Sequence, residues 1–223
     1  MATPKATGTW KPGSPIPNEQ DLARELGVSA GTMRKALDLL ETERVVTRRQ
    51  GRGTYVNDPA SEELAARFNN FRDANGKRIV GVAKTLDIAE VPATELERER
   101  LQLSTGASVY RLHRTRSHLD QIFMVEDTSL PAALFPGLLQ KEPNQLDDVT
   151  ILARGYGILL HDSQERVSMT SPPAAVASVL GVAPGAEVMH LDRIIYMLGD
   201  HRPIEWRVAY CRLTNGSYVV EIH

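Results

Sequence analysis

The sequence predicts an α+β chain in two unequal parts, a small helical domain ending in a β-hairpin and a larger domain built on an antiparallel sheet. Three observations carry that expectation. Apolar residues recur at helical spacing up to about residue 40, and β-rich segments enclosing turn signals follow. Beyond residue 72, short helical runs alternate with hairpin-like strands, the pattern of an α+β domain. Charge divides at the same place: residues 1–57 carry nine Lys and Arg against six Asp and Glu, net +3, whereas the remainder carries seventeen against twenty-two, net −5. A basic segment joined to an acidic one fits a division of labour in which the basic part meets an anion.

Composition bounds the rest. At 223 residues, 42% hydrophobic and 24% charged, the chain is ordinary globular protein with length for two modest domains. No run approaches the roughly 18 apolar residues of a membrane helix, and Met1 to Trp10 offers no secretory apolar region, so no membrane is expected and the cytoplasm is the expected location. Cys211 is the single cysteine, which excludes an intrachain disulfide and multi-cysteine zinc sites.

In the first domain, Asn18 is placed to cap a helix with Leu22, Ala23 and Leu26 as its apolar stripe, and Gly27 ends it. After Val28, Ser29 caps a second helix whose Met33, Ala36, Leu37 and Leu40 fall at i, i+3, i+4 and i+7. Two helices across so short a turn read as helix-turn-helix. The opposite face of the second helix presents Gly31, Thr32, Arg34 and Lys35: small residues permit close approach, Thr and Arg can meet base edges, and Lys neutralises phosphate. Val45-Val46-Thr47 and Thr54-Tyr55-Val56 then enclose Arg48, Arg49, Gln50, Gly51, Arg52 and Gly53, a hairpin with a cationic tip of the kind that reaches a groove or the backbone.

This part resembles the GntR family of bacterial transcription regulators through Gly8-Thr9-Trp10-Lys11-Pro12-Gly13-Ser14, Pro17-Asn18-Glu19, Leu26-Gly27-Val28-Ser29, Gly31 to Leu37 and Arg49 to Thr54. The resemblance implies that Thr32 and Arg34 in a recognition helix, and Gln50 to Arg52 in a wing, contact double-stranded operator DNA. Gln20 and Ala30 stand where many relatives carry arginine. The family's first helix, which covers Leu22, Leu26 and Leu37, has no counterpart in the short Pro/Gly/Thr-rich stretch Met1 to Thr9. The expected domain is 1–57, with a linker over 58–71 opened by Asn57-Asp58-Pro59.

The second domain, 72–223, is expected to run as a strand over 79–88, a helix over 93–103, a hairpin of 109–117 with 122–128, a helix over 149–156, a strand over 164–170, a helix over 174–180, a hairpin within 188–211 and a last strand over 218–222. It contains an internal repeat. Gly106 to Arg114 and Gly185 to Arg193 share Gly-Ala-x-Val-x-x-Leu-x-Arg at a shift of 79 positions, and the same shift carries Leu101 to Leu180 and Glu126 to Glu205. Each copy thus places an Arg on its first strand and a Glu on its second. Met189, Leu191, Arg193, Ile195 and Met197 share one strand face, so Arg193 interrupts an apolar surface and needs a carboxylate, for which Glu205 is the candidate. On the other copy Arg114 and Arg116 share a face opposite Glu126, two cations to one visible carboxylate. That excess favours an anionic ligand, because the guanidinium fork suits carboxylate and phosphate.

These features resemble the UTRA effector domain of the HutC subfamily within the GntR family, through Leu112 to Arg116, Leu130 to Leu138, Leu180-Gly181-Val182 with Gly185-Ala186, and Arg202 to Glu205. The resemblance implies a chorismate-lyase-like fold, a homodimer through these domains and a small-molecule site using Arg114, Arg116, Glu126 and Glu205. Where phosphosugar-sensing relatives begin a helix Ser-Leu-Tyr, this chain reads Asp148-Val149-Thr150, and Cys211 replaces a tyrosine expected six residues after Glu205. An Asp beside an anion site repels phosphate, which points to an acidic metabolite with a polar or cationic second end, facing Glu205 and Asp148.

The expected function is therefore a DNA-binding regulator, a repressor released by a small anionic metabolite, with no cofactor. Two alternatives stand beside it. One is a chorismate-lyase-like enzyme, against which the absence of a catalytic constellation counts. The other is a DNA-binding-deficient dimer that sequesters effector, suggested by the missing first helix. The six histidines, His113, His118, His161, His190, His201 and His223, show no metal-ligand spacing along the chain and no Ser/His/Asp order.

Overall fold

Asn18 sits in extended backbone and its Oδ1 accepts a hydrogen bond from the Asp21 amide at 2.9 Å, which starts helix α1, Glu19–Glu25. Ser29 does the same for α2, Ala30–Thr42, its Oγ accepting from the Thr32 amide at 3.1 Å. These contacts belong to a computed structural model, which describes residues 10–11, 13–42, 45–57, 68–79, 81–142, 146 and 148–220. The chain divides into two compact units, Met1–Ala65 and Ala66–His223.

In the first unit, strands β1, Val46–Arg49, and β2, Gly53–Val56, pair antiparallel from Val46 opposite Val56 to Arg49 opposite Gly53. Gly51 and Gly53 take φ of +69° and +97°, backbone that disfavours a side chain, so the tight tip between the strands needs glycine. Ile16, Leu22, Ala23, Met33, Leu37 and Val46 form one buried cluster. Leu26 and Ala36, expected on the apolar stripes, are exposed instead. Leu26 is the C-cap residue of α1, one position beyond its last helical residue. The N-terminal stretch Met1 to Thr9 and most of the expected linker lie outside the described residues.

The second unit is built on a six-stranded antiparallel sheet in the order β4-β5-β6-β9-β8-β7. Its strands are β4, Val82–Pro92; β5, Ser108–His118; β6, Gln121–Pro131; β7, Leu160–Thr170; β8, Val188–Met197; and β9, Pro203–Cys211. Helices α3, Glu95–Leu101, and α5, Ala174–Leu180, follow β4 and β7, while α4, Val149–Gly155, precedes β7. A short pair, β3, Phe71–Arg72, with β10, Ser217–Tyr218, completes the unit. Phe71, placed at the end of the expected linker, is thus a buried strand residue of this unit. The strand expected over 79–88 runs instead from Val82 to Pro92.

The repeat is visible as architecture. Each copy is strand, helix, hairpin, and the two copies meet where β6 pairs with β9. Gly106 and Gly185 both carry positive φ, +84° and +81°, ahead of the hairpins. Leu101 and Leu180, each 2% exposed, close the two helices onto the sheet, burial worth about 1.5 to 3 kcal/mol apiece. β-Bulges fall at the same repeat position, after Arg116 and after Ile195. One detail departs from the gapless shift of 79. Arg114 faces Glu126, but Arg193 faces Arg207, because the turn after β8 is longer, and the second strand slips by two residues. With a side-chain period of two, such a slip keeps every residue on its own face, so Glu205 stays on the face of Arg193.

Candidate functional site

On the small unit, Gly31, Thr32, Arg34 and Lys35 lie exposed along the N-terminal half of α2, and Arg49, Gln50, Gly51 and Arg52 are exposed in the hairpin. The two groups are held in register by Arg48, which pairs with Asp38 at 2.5 Å and with Glu41 at 2.8 Å and so fastens β1 to α2. Those pairings, the bond to Asp38 foremost, raise the Arg48 guanidinium pKa. Arg48 is therefore the structural arginine of the hairpin. Arg49 stacks over Tyr55 at 4.5 Å. Arg34 is held by Glu19, the first residue of α1, at 2.9 Å, and the Thr32 hydroxyl meets that of Ser29 at 2.8 Å. An anion approaching α2 competes with Glu19 for a guanidinium already aimed outward.

On the sheet, strand alternation delivers four arginines and three carboxylates to one face. Arg114 and Arg116 come from β5, Glu126 from β6, Glu205 and Arg207 from β9, Arg193 from β8 and Glu165 from β7. Glu126 is fully buried and sits 2.9 Å from Arg114, 3.2 Å from Arg116 and 3.3 Å from Arg207. Arg207 also pairs with Glu165 at 2.9 Å, and Arg193 with Glu205 at 2.7 Å. Burial alone would push the Glu126 carboxyl up. Arg116, Arg114 and Arg207 outweigh it and hold the group well below the usual carboxylate range. For Arg114 burial wins and lowers its pKa; for Arg116 burial is again the largest single influence, but the charge and hydrogen bond of Glu126 together with Asp148 outweigh it and raise the pKa.

Arg114 is anchored further: it donates to the Leu146 carbonyl at 2.8 Å and to the Thr128 hydroxyl at 2.6 Å. It therefore ties the segment ahead of α4 to the sheet. Asp148 accepts from the Thr150 amide at 2.7 Å and lies near enough to Arg116 to favour its charge. Thr150 is buried, and so is Cys211, whose thiol pKa is raised by that burial. Three buried Nε–H groups, of Arg114, Arg193 and Arg207, have no hydrogen-bond partner among the described residues; Arg114 Nε lies close to Glu126 but off the hydrogen-bonding angle. Among the described residues four guanidinium groups meet three carboxylates on this face, with Asp148 beside Arg116.

Arg207 and Glu165 were missed by sequence reasoning, although the alternation that placed Arg193 also puts Glu205, Arg207 and Ala209 on one face of β9. The other sheet face was missed entirely. There Glu97 accepts from Arg111 at 2.6 and 2.7 Å, from Ser129 at 2.8 Å and from the Thr94 amide at 2.7 Å. Burial raises its carboxyl, but Arg111 and these donors hold it at about 2. An open cleft of about 410 Å³ beside it is lined by Asp87, Arg111, His113, Asp127 and Trp206. It does not contain the arginine cluster, whose side chains are packed against one another.

Residues 6–56 match the family model for bacterial regulatory proteins of the gntR family, and residues 76–215 match that for the UTRA domain. The chain belongs to the GntR family of bacterial transcription regulators. NagR of Bacillus subtilis, an HTH-type transcriptional repressor, is 25% identical over 198 residues, covering 88% of this chain and 81% of its own. GgaR of Escherichia coli, an HTH-type transcriptional regulator, is 27% identical over 96% of this chain and 85% of its own. Among solved structures PhnF from Mycobacterium smegmatis has a TM-score of 0.58 at 25% identity, covering 97% of this chain and 95% of that one. This GntR-family protein is thus a DNA-binding transcription regulator with an effector-binding domain, and the relatives named above are regulators, not enzymes. No described helix is long and apolar enough to cross a membrane.

Proposed function

We propose that this regulator is a cytoplasmic homodimeric repressor whose operator binding is relieved by a small metabolite with an anionic group, held on the sheet face that carries Arg114 and Arg116. The supporting observation is that the first repeat copy carries an arginine, Arg116, where the second carries Ile195. In the second copy Arg193 pairs with Glu205 and Arg207 with Glu165, whereas the first copy sets two arginines, Arg114 and Arg116, beside Glu126. Position 116 corresponds to Ile195, fully buried and apolar, so the fold itself does not demand an arginine there. Arg116 is also the more accessible of the pair, with 15% of its side chain exposed against 3% for Arg114. Arg116 is assigned the ligand's anionic end and Arg114 the task of holding Leu146 ahead of α4, with Asp148, Thr150, Glu205 and Cys211 bordering the site.

DNA contact is assigned to Gly31, Thr32, Arg34 and Lys35 of α2 and to Arg49, Gln50, Gly51 and Arg52 of the wing, on a pseudo-palindromic operator. The test is calorimetry of sugar acids, amino-acid derivatives, sugar phosphates and inorganic phosphate against the wild type and Arg116→Ile. Charge-assisted bonds are worth about 1.5 to 3 kcal/mol each, so any anion that binds the wild type weakens by at least tenfold in the variant. Equal affinities, or an effector without an anionic group, overturn the assignment.

A further inference from the structure

Adjacent residues of a regular strand point to opposite faces, and the histidines at 161 and 201 are forty positions apart, so sequence spacing gives no hint that they meet. The structure brings them together through two irregularities. Leu160 pairs with Met197 and Ser163 with Ile195, so three steps along β7 match two along β8: a β-bulge in which His161 and Asp162 together oppose Tyr196. The second irregularity is His201 in the turn between β8 and β9, at φ +55°, in the left-handed region. Its ring stacks flat on Tyr196, with centroids 4.4 Å apart and planes 7° apart, and its Nε2 lies 3.0 Å from Asp162 Oδ1. The rings of His161 and His201 are 5.6 Å apart.

The ligand atoms of His161, Asp162 and His201 all lie within 4.8 Å of one another. We propose that these three residues form a binding site for a divalent transition metal of the zinc class. Two imidazoles and one carboxylate are a donor set that suits Zn²⁺, with a fourth position left for water or another ligand. Donors about 2.1 Å from zinc in tetrahedral geometry stand about 3.4 Å apart, so the present spacing closes by side-chain rotation of roughly 1 Å. The pieces fix the three ligands differently. The bulge sets two of them on one side of β7, and Tyr196 sets the plane of the third. The neighbouring cation is neutralised, because Arg202 pairs with Asp200 at 2.5 Å. Asp162 and His201 are about half exposed, which leaves the site open to ions from solvent. Metal bound here would bridge the start of β7 to the β8–β9 turn. It draws on none of the arginines or carboxylates of the effector face, so its failure leaves the proposed function untouched.

The test uses the tag-free full chain titrated with Zn²⁺ against a competing chromophoric chelator, with Co²⁺ as the spectroscopic probe. The wild type is expected to bind one Zn²⁺ per chain and to give the visible Co²⁺ bands of inner-sphere nitrogen and oxygen ligands. His201→Asn, which retains a residue tolerant of positive φ, and Asp162→Asn are each expected to weaken Zn²⁺ at least tenfold and to lose the Co²⁺ bands. His118→Asn, remote in the β5–β6 hairpin, is expected to do neither. Thermal unfolding without metal confirms that the variants compared are folded. Absence of stoichiometric binding by the wild type, or equal affinity in both His201→Asn and Asp162→Asn, overturns the site.

Discussion

Replacing Glu126 with Gln removes the carboxylate that Arg114, Arg116 and Arg207 share, while keeping side-chain size. Breaking a buried pair from one side costs about 3 to 5 kcal/mol, because the remaining charge loses its partner but not its desolvation. Glu205 and Glu165 cannot compensate, since Arg193 and Arg207 already hold them at 2.7 and 2.9 Å. For a domain of this size about 1 kcal/mol corresponds to 2 to 4 °C, so the melting transition of the larger domain should fall by roughly 6 to 20 °C. The same change adds one positive charge to the cluster and should make it a better anion receptor. Inorganic phosphate or sulfate should therefore restore part of the lost stability, about 2.7 kcal/mol once the anion reaches a hundred times its Kd. Differential scanning calorimetry at several anion concentrations, with chloride at matched ionic strength as control, measures both effects. A Glu126→Gln protein that melts with the wild type refutes the idea that Glu126 balances the cluster; one that falls in stability but ignores phosphate and sulfate refutes the idea that the cluster receives anions.

Asp148→Asn removes a negative charge beside Arg116 while keeping an amide that can still cap α4, and should tighten binding of any anionic effector severalfold by calorimetry; unchanged affinity would place Asp148 outside the site. Arg34→Ala and Arg52→Ala should each weaken operator binding about tenfold or more if they reach bases, or flatten the log–log salt slope by about 0.9 if they reach phosphate, measured by fluorescence anisotropy on the protein's own promoter DNA. Loss of neither affinity nor slope in both variants would remove α2 and the wing from the interface. Glu97, held at about 2, contributes stability that is complete above about pH 4.5 and is lost as pH falls toward 2, on the order of 3 kcal/mol. Acid titration of unfolding should show this loss in the wild type and a smaller one in Glu97→Gln.

Local signals made most of the elements legible. Asn18 and Ser29 were readable as caps because a short polar side chain before an apolar stripe has few other uses, and α5 was readable to the residue because Pro173 and Gly181 bracket it. The repeat was readable because the same Gly-Ala-x-Val-x-x-Leu-x-Arg string serves the same turn and strand twice. What the sequence could not show is pairing that depends on turn length. The longer turn after β8 slips β9 by two residues, and that slip decides that Arg193 reaches Glu205 diagonally and that Arg207 reaches Glu126 across the seam between β6 and β9. Glu165 was hidden for a related reason, since β7 is an edge strand largely exposed on both faces and shows no alternation. Leu26 misled because helical period alone does not say where a helix stops turning its apolar side inward.

The duplication gives the arginine cluster an internal control. Two copies of one strand-helix-hairpin unit share the same strand order, a bulge at the same position and comparable burial, so whatever both require is part of building the fold. Both require the first-strand arginine, Arg114 or Arg193, 3% and 4% exposed, each beside a glutamate. Only one copy has an arginine two residues further on, where the other buries an isoleucine. An extra, partly buried cation is costly to keep, and a scaffold that closes around Ile195 at the corresponding position has no need of it. On the proposed reading that cost is set against ligand binding in the first copy, where the described neighbours of Arg116 include a carboxylate shared three ways, Asp148, and the Nε–H groups of Arg114 and Arg207, which have no hydrogen-bond partner among the described residues. On the proposed reading such a site favours a ligand that brings one negative charge and several acceptors, and Asp148 beside Arg116 counts against a doubly charged phosphate.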